Sequence, residues 1–255
     1  MTTENQRSSR VGSDGDRSRR LELRPIEAVR AHEQVAGELR RNIALRFVGP
    51  GEPLPPDRDL AKAFGVGRAT VQAAVRLLEI EGLVESRRGR RGGTFVLKQH
   101  GGDLAREHLL VDLRGNSDLI VAAVEFRNTI EPAAAALAAQ VREADALDAL
   151  SRAAQAERDA GVDSEILRWD TALHLSVAAA TGNAFYMEAV ERIRLSLEDA
   201  FAVLPESPQM RRAIHSDHTK IVKAIEAGEP SPARSAMKRH VEKTGDGILK
   251  MLESL

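Results

Sequence analysis

The chain of 255 residues contains no cysteine. Disulfide frameworks, thiolate zinc sites, iron–sulfur clusters and cysteine nucleophiles are therefore excluded together. Aromatic residues make up only 3%, fewer than the stacking platforms that hold single-stranded nucleic acid require. Long hydrophobic runs are missing too. The longest stretch free of Asp, Glu, Lys and Arg is 171–187, 17 residues that include Thr, His, Ser, Gly and Asn. A membrane-spanning helix needs about 20 apolar residues. Residues 1–20 have no apolar segment of the kind a secretory signal carries. A cytoplasmic protein with no membrane partner is expected.

What is present is ordinary in amount and uneven in distribution. Hydrophobic residues are 42% and charged residues 29%, typical of a globular chain long enough for one large or two small domains. The net charge of −1 hides an asymmetry. Residues 1–98 hold 19 Lys/Arg and 13 Asp/Glu, which leaves 18 and 25 for the remainder. A basic front and an acidic back imply two modules, the first suited to an anionic polymer.

Residues 1–24 are rich in Arg, Ser, Gly and Asp and read as a disordered tail. A domain over 25–98 follows. Ile26, Val29, Val35, Leu39, Ile43 and Phe47 are spaced for an amphipathic helix over 26–47. A Gly/Pro-rich break leads to short helices over 57–64 and 67–81, with Gly82 as the stop. Strand-like runs at 83–86 and 94–97 flank an Arg/Gly loop, a hairpin with a cationic tip. Residues 99–102 read as a linker. Over 103–255 no strand pattern occurs. Helices are expected near 103–113, 118–142, 144–159, 165–180, 184–204, 208–227 and 232–253, with Ser117, Ser164 and Asn183 as N-caps. Gly245 and Gly247 are expected to weaken the last of them. The fold class is thus mainly α: three helices and a β-hairpin wing joined to an all-helical bundle of six or seven helices.

Three short helices followed by a hairpin form the winged helix-turn-helix plan, and Gly65-Val66-Gly67 supplies the tight joint it needs. Arg68, Thr70 and Gln72 lie at the start of the third helix, off its Val71/Ala74/Val75 stripe. Arg can donate two hydrogen bonds to guanine and Gln can pair with adenine. Arg58 opens the second helix, within reach of a phosphate or base edge. Arg87, Arg88, Arg90 and Arg91 load the wing tip, and Gly89, Gly92 and Gly93 keep it slim enough to enter a groove.

In the back half, Asp170 and His174 are four apart and share a helix face. His218 and His240 sit on later helices. Three imidazoles and one carboxylate suit zinc above all, and also nickel, iron or manganese. The same spacing also fits a plain Asp–His hydrogen bond, and His215 competes with His218 as a ligand. His32, His100 and His108 carry no pattern.

Leu54-Pro55-Pro56-Asp57-Arg58-Asp59-Leu60-Ala61, Phe64-Gly65-Val66-Gly67-Arg68-Ala69-Thr70-Val71, Leu77-Leu78-Glu79-Ile80-Glu81-Gly82-Leu83-Val84 and Arg88-Gly89-Arg90-Arg91-Gly92-Gly93-Thr94-Phe95-Val96 together resemble the N-terminal domain of GntR-family bacterial transcription regulators. Glu125-x-Arg127-x-x-Ile130-Glu131, Asp170-x-x-x-His174, Thr181-Gly182-Asn183, His218-x-x-Ile221 and Ala236-Met237-x-x-His240 are similar to the FadR-type effector domain, called FCD. The resemblance implies DNA contacts from Arg58, Arg68, Thr70 and the wing-tip glycine region around Gly92; the residues themselves add Gln72, Arg88, Arg90 and Arg91. It implies a divalent metal on Asp170, His174, His218 and His240, with Arg127 helping to hold a small organic-acid effector. It further implies a homodimer that binds a palindromic operator in double-stranded DNA, generally as a repressor, and that is not an enzyme. Three positions depart from the family pattern. Gly67 replaces a Ser or Thr, Gln72 stands where Arg is common, and Arg91 takes a usual glycine position.

Two rival readings follow from the residues. One is a metal-dependent hydrolase or lyase using the Asp/His cluster. It lacks a His-Glu-x-x-His motif and any obvious free carboxylate base. The other is a DNA regulator whose metal is structural or is itself the signal.

Overall fold

The sequence periodicities fold into the elements they predict, with small shifts at the ends. A computed structural model describes residues 30–89, 92–97, 103–142, 144–159, 163–204 and 207–255. The expected tail (1–24), Ile26 and Val29 at the start of the expected first helix, the expected linker (99–102) and the wing residues Arg90 and Arg91 lie outside the described residues. Helix α1 spans Ala31–Ala44, α2 Asp57–Phe64 and α3 Arg68–Ile80; strands β1 (Val84–Arg87) and β2 (Gly93–Val96) follow.

Helix α1 ends three residues earlier than the apolar spacing suggests. Arg46 adopts φ 60° and turns the chain. Leu45 in this turn is buried, and Phe47, expected in the core, is left 48% exposed. Helix α2 stops at Gly65, whose φ of 67° lets its N–H reach the Ala61 and Lys62 carbonyls. Gly67 precedes α3 with no side-chain cap, as its lack of a hydroxyl dictates. Val35, Leu39, Ile43, Leu60, Val71 and Leu78 close one core.

Strands β1 and β2 pair antiparallel with Val84 opposite Val96 and Arg87 opposite Gly93. The segment before α2 pairs with β2 as well: Gly51 N–H donates to the Val96 carbonyl and Leu54 N–H to the Thr94 carbonyl, both at 2.8 Å. The wing is thereby anchored to the chain entering α2.

Among the described residues seven helices form the second module: α4 (Asp103–Gly115), α5 (Ser117–Val141), α6 (Ala144–Asp159), α7 (Asp163–Ala179), α8 (Ala184–Val203), α9 (Pro208–Glu226) and α10 (Pro230–Glu253). Asn183 caps α8 as expected, its side chain accepting from Phe185 N–H. Ser117 and Ser164 do not cap: α5 is preceded by Asn116 in the capping position and α7 begins before Ser164. Helix α5 runs through the middle, where its small residues Ala134, Ala135, Ala138 and Ala139 pack with Leu173, Ile221, Ile225 and Met237. Gly245 does not weaken α10 idly. A Cβ there would stand 2.9 Å from Val124 Cγ1, so the glycine permits close approach of α10 to α5.

The two modules touch through ion pairs. Arg41 of α1 pairs with Glu191 of α8, Arg46 with Glu198 of α8 at 3.6 Å, and Glu52 with Arg168 of α7 at 2.7 Å.

Candidate metal centre and nucleic-acid interface

Every buried charged side chain among the described residues belongs to one cluster: Arg127, Glu131, Glu157, Asp170 and Arg194, gathered around His174, His218 and His240. Burying this many ionisable groups is costly unless they satisfy one another or hold an ion. Six helices contribute. Asp170 and His174 come from α7, His218 from α9 and His240 from α10, and one ligand atom of each lies within 4.8 Å of all the others. His174 Nε2 and His218 Nε2 lie 3.1 and 3.2 Å from His240 Nε2. Asp170 Oδ1 is 3.2 Å from His218 Nε2 and 3.6 Å from His174 Nε2.

The far sides of two of the rings explain their orientation. His174 Nδ1 bonds Glu131 of α5, and His218 Nδ1 bonds both carboxylate oxygens of Glu157 on α6 at 2.8 Å. A carboxylate behind an imidazole fixes its tautomer and turns the other nitrogen's lone pair outward, the arrangement that supports a metal ligand. Three converging nitrogens and one carboxylate oxygen fit a divalent ion in donor type and number. His240 Nδ1 is buried without a partner.

Burial pushes His218 down, but Asp170 and Glu157 outweigh it and raise it to about 9. Burial also pushes Glu131 up, and the His174 and Arg127 charges overcome that and hold it at about 2. Asp170 stays well below its usual value against its burial because Arg194 and His174 face it. His240 is driven well below the ordinary imidazole range by burial and by the neighbouring His218 and His174. It presents a neutral lone pair.

Sequence reasoning named the four ligand candidates and Arg127, and the structure brings all five together. His215 lies outside the cluster. Arg127 is fully buried; its Nε donates to Glu131 at 2.9 Å and its Nη1 to Thr244 Oγ at 2.8 Å, while Nη2 has no partner. The roles of Glu131, Glu157 and Arg194 were missed. Arg194 donates to Asp170 Oδ2 at 2.6 Å and to Thr171 Oγ at 2.7 Å. Its signal was available: it lies in the apolar stripe Val190, Ile193, Leu197 of α8, where a charge needs a buried partner. Glu157 has no comparable signal.

In the winged module, Arg58, Arg68, Gln72, Arg87 and Gly92 line one surface cleft of about 720 Å³ between α2, α3 and the wing. Thr70 and Arg88 are not part of its lining. Gln72 donates to Asp57 at 3.2 Å, so DNA must compete for that amide. Arg87 bonds Glu85 at 2.6 Å and lies over the Phe95 ring at 4.5 Å.

Residues 31–96 match the family model described as bacterial regulatory proteins, gntR family, and residues 122–243 match the FCD domain. The Exu regulon transcriptional regulator of Escherichia coli K12 is 30% identical over 224 residues, covering 86% of this chain and 84% of that protein. The HTH-type transcriptional repressor NanR of Cronobacter sakazakii is 28% identical over 237 residues, covering 88% and 87%. HTH-type transcriptional regulator Mce2R of Mycobacterium tuberculosis is 26% identical over 240 residues, covering 92% and 98%.

Proposed function

The chain belongs to the GntR family of DNA-binding transcription regulators, not enzymes, and from that premise we propose a cytoplasmic homodimeric repressor that reads a palindromic operator and is modulated by a small carboxylate bound at a metal in its C-terminal bundle. The DNA-binding domain is assigned to 25–98 and the effector and dimerisation domain to 103–255.

The observation that carries the effector reading is the buried histidine triad, each of two rings backed by a carboxylate and all three turned toward Asp170. Asp170, His174, His218 and His240 hold the ion, zinc being best suited to three imidazoles and a carboxylate. A divalent ion with four protein ligands supplies a Lewis-acidic position for a carboxylate oxygen. Arg127 offers its unpartnered Nη2 to the same group.

Arg58, Arg68, Thr70, Gln72, Arg88 and Gly92 contact DNA, with Arg90 and Arg91 at the wing tip. Modulation needs an effector that binds the DNA-competent and incompetent dimers unequally. The ion pairs of α7 and α8 to the winged module provide a route. Asp170 shares α7 with Arg168, and its partner Arg194 shares α8 with Glu191 and Glu198. A shift of these helices changes the spacing of two recognition helices that must fit half-sites about 34 Å apart.

Metal content per chain, measured by elemental mass spectrometry on the purified protein and on His174→Ala, tests the site. Near one equivalent in the wild type and a loss in the variant is the expected result. A wild type that stays empty after reconstitution with zinc, nickel, iron or manganese rejects the metal reading.

A further inference from the structure

The cavity beside the cluster says what kind of acid it takes. It has a volume of about 60 Å³, several times the roughly 10–15 Å³ that a single water requires. Its polar lining includes Asp170, Arg127 and Thr244; its apolar lining is Leu167, Phe201, Leu204, Met210 and Ile214, with Phe201 beneath the Arg127 guanidinium at 5.1 Å. Its polar atoms are mostly committed. Thr244 Oγ accepts from Arg127 and donates to the His240 carbonyl at 3.1 Å. Ser207 Oγ accepts from Met210 N–H at 3.1 Å to cap α9, and Arg211 is already engaged. Arg127 Nη2 is the buried donor among the lining residues that lacks a partner.

From this lining we infer that the ligand is a monocarboxylate with a short apolar body, and that acids bearing several hydroxyls are excluded. The inference rests on the metal and carboxylate reading above and narrows it. The carboxylate lies by Arg127 and the ion held at Asp170, the one metal ligand in the lining, and the hydrocarbon lies against Leu167, Phe201, Leu204, Met210 and Ile214. Hydroxyls placed along that wall would leave water without gaining partners, a cost paid by each one. Charge sets the number of carboxylates. The buried guanidinium groups of Arg127 and Arg194 and a divalent ion, set against Glu131, Glu157 and Asp170, leave one positive charge. One carboxylate cancels it, and a second in the same cavity would have to draw Arg211 from its present interaction.

Isothermal titration of zinc-loaded full-length protein with acetate, butyrate, succinate and glucuronate tests this, with bound zinc counted on the same sample. Affinity is expected to rise roughly fourfold per added methylene from acetate to butyrate. Glucuronate is expected to bind at least about 100-fold more weakly than butyrate. Met210→Gln and Ile214→Asn should each keep one zinc per chain and weaken butyrate about tenfold or more. Succinate or glucuronate binding as well as butyrate overturns the inference, as does a zinc-loaded chain that binds no monocarboxylate or variants that bind butyrate unchanged. A chain that takes up no zinc overturns the metal site itself, and this assignment with it; the zinc count separates the two failures.

Discussion

Arg194 and Asp170 form a buried ion pair at 2.6 Å between α8 and α7, and Asp170 is at the same time one of the four groups that converge as metal ligands. The carboxylate therefore answers to two cations. Removing the guanidinium in Arg194→Met leaves Asp170 buried beside histidines alone, and breaking such a pair costs roughly 3–5 kcal/mol. Zinc, which supplies the missing positive charge, should recover much of that loss. The expected result is a large fall in melting temperature for the metal-free variant and a clearly smaller one with saturating zinc. Equal falls in both states would place zinc away from Asp170.

Glu198 gives the contact between modules a pH dependence. Burial, reinforced by Asp199 and opposed by Arg46, raises its carboxyl from 4.5 to about 7. Its Oε1 has no hydrogen-bond partner. A folded-state acid with a raised pKa binds more protons than the unfolded chain between those two values, so its contribution to stability declines as pH climbs from 4.5 to about 7. At pH 8 the deficit is at most about 3 kcal/mol. Glu198→Gln should remove that decline and melt higher than the wild type at pH 8, less whatever Arg46 loses with its partner. Near pH 4.5 the two should nearly coincide. Melting curves recorded across this range that stay parallel would mean that Glu198 is ordinary.

The winged module was legible because its signals are local. Gly65 must take positive φ, the apolar residues of α3 repeat at helical spacing, and the Arg/Gly loop separates two short strands. The bundle's helices were legible for the same reason. Partnerships across the bundle were not. Glu157 and His218 are 61 residues apart and meet through packing of α6 on α9, which no periodicity announces. Phe47 misled because helical spacing cannot foresee that Arg46 turns the chain before it.

Wing geometry makes Gly92 a test of the DNA-binding surface that leaves the cores alone. A Cβ on Gly92 would stand 2.5 Å from the Arg87 carbonyl oxygen and 2.8 Å from that of Gly89, both backbone atoms. The tight turn closed by Gly92 N–H and the Gly89 carbonyl at 2.8 Å must then open. Since Gly92 lines the cleft with Arg58 and Arg68 and is itself no member of the winged module's core, Gly92→Ala should weaken operator binding by about tenfold or more, the scale of one lost base or phosphate contact, with a melting temperature close to wild type. Fluorescence anisotropy at fixed salt, compared with Arg68→Ala on operator and scrambled DNA, measures it. Arg68→Ala is expected to flatten the difference between the two DNAs, and a retained preference would remove Arg68 from base reading.

The proposed homodimer has a face to form on. Leu119, Phe126 and Phe185 are 61%, 46% and 79% exposed, and they border a groove of about 490 Å³ between α5 and α8 that also holds Ala122, Ala123 and Ala189. Apolar side chains this exposed and this close together mark an association surface. Glu188 and Arg192 lie on the same groove, four residues apart on α8. In a two-fold interface a residue and its partner's counterpart exchange roles, so Glu188 of one copy can meet Arg192 of the other twice over. Phe185→Glu should yield a monomer in sedimentation at micromolar concentration and lose the avidity of two half-sites on one operator. Glu188→Arg alone should weaken the dimer, and Glu188→Arg with Arg192→Glu should restore it. If the single charge reversal and the double exchange sediment alike, the two copies meet on another face, and the exposed phenylalanines must be covered by something else.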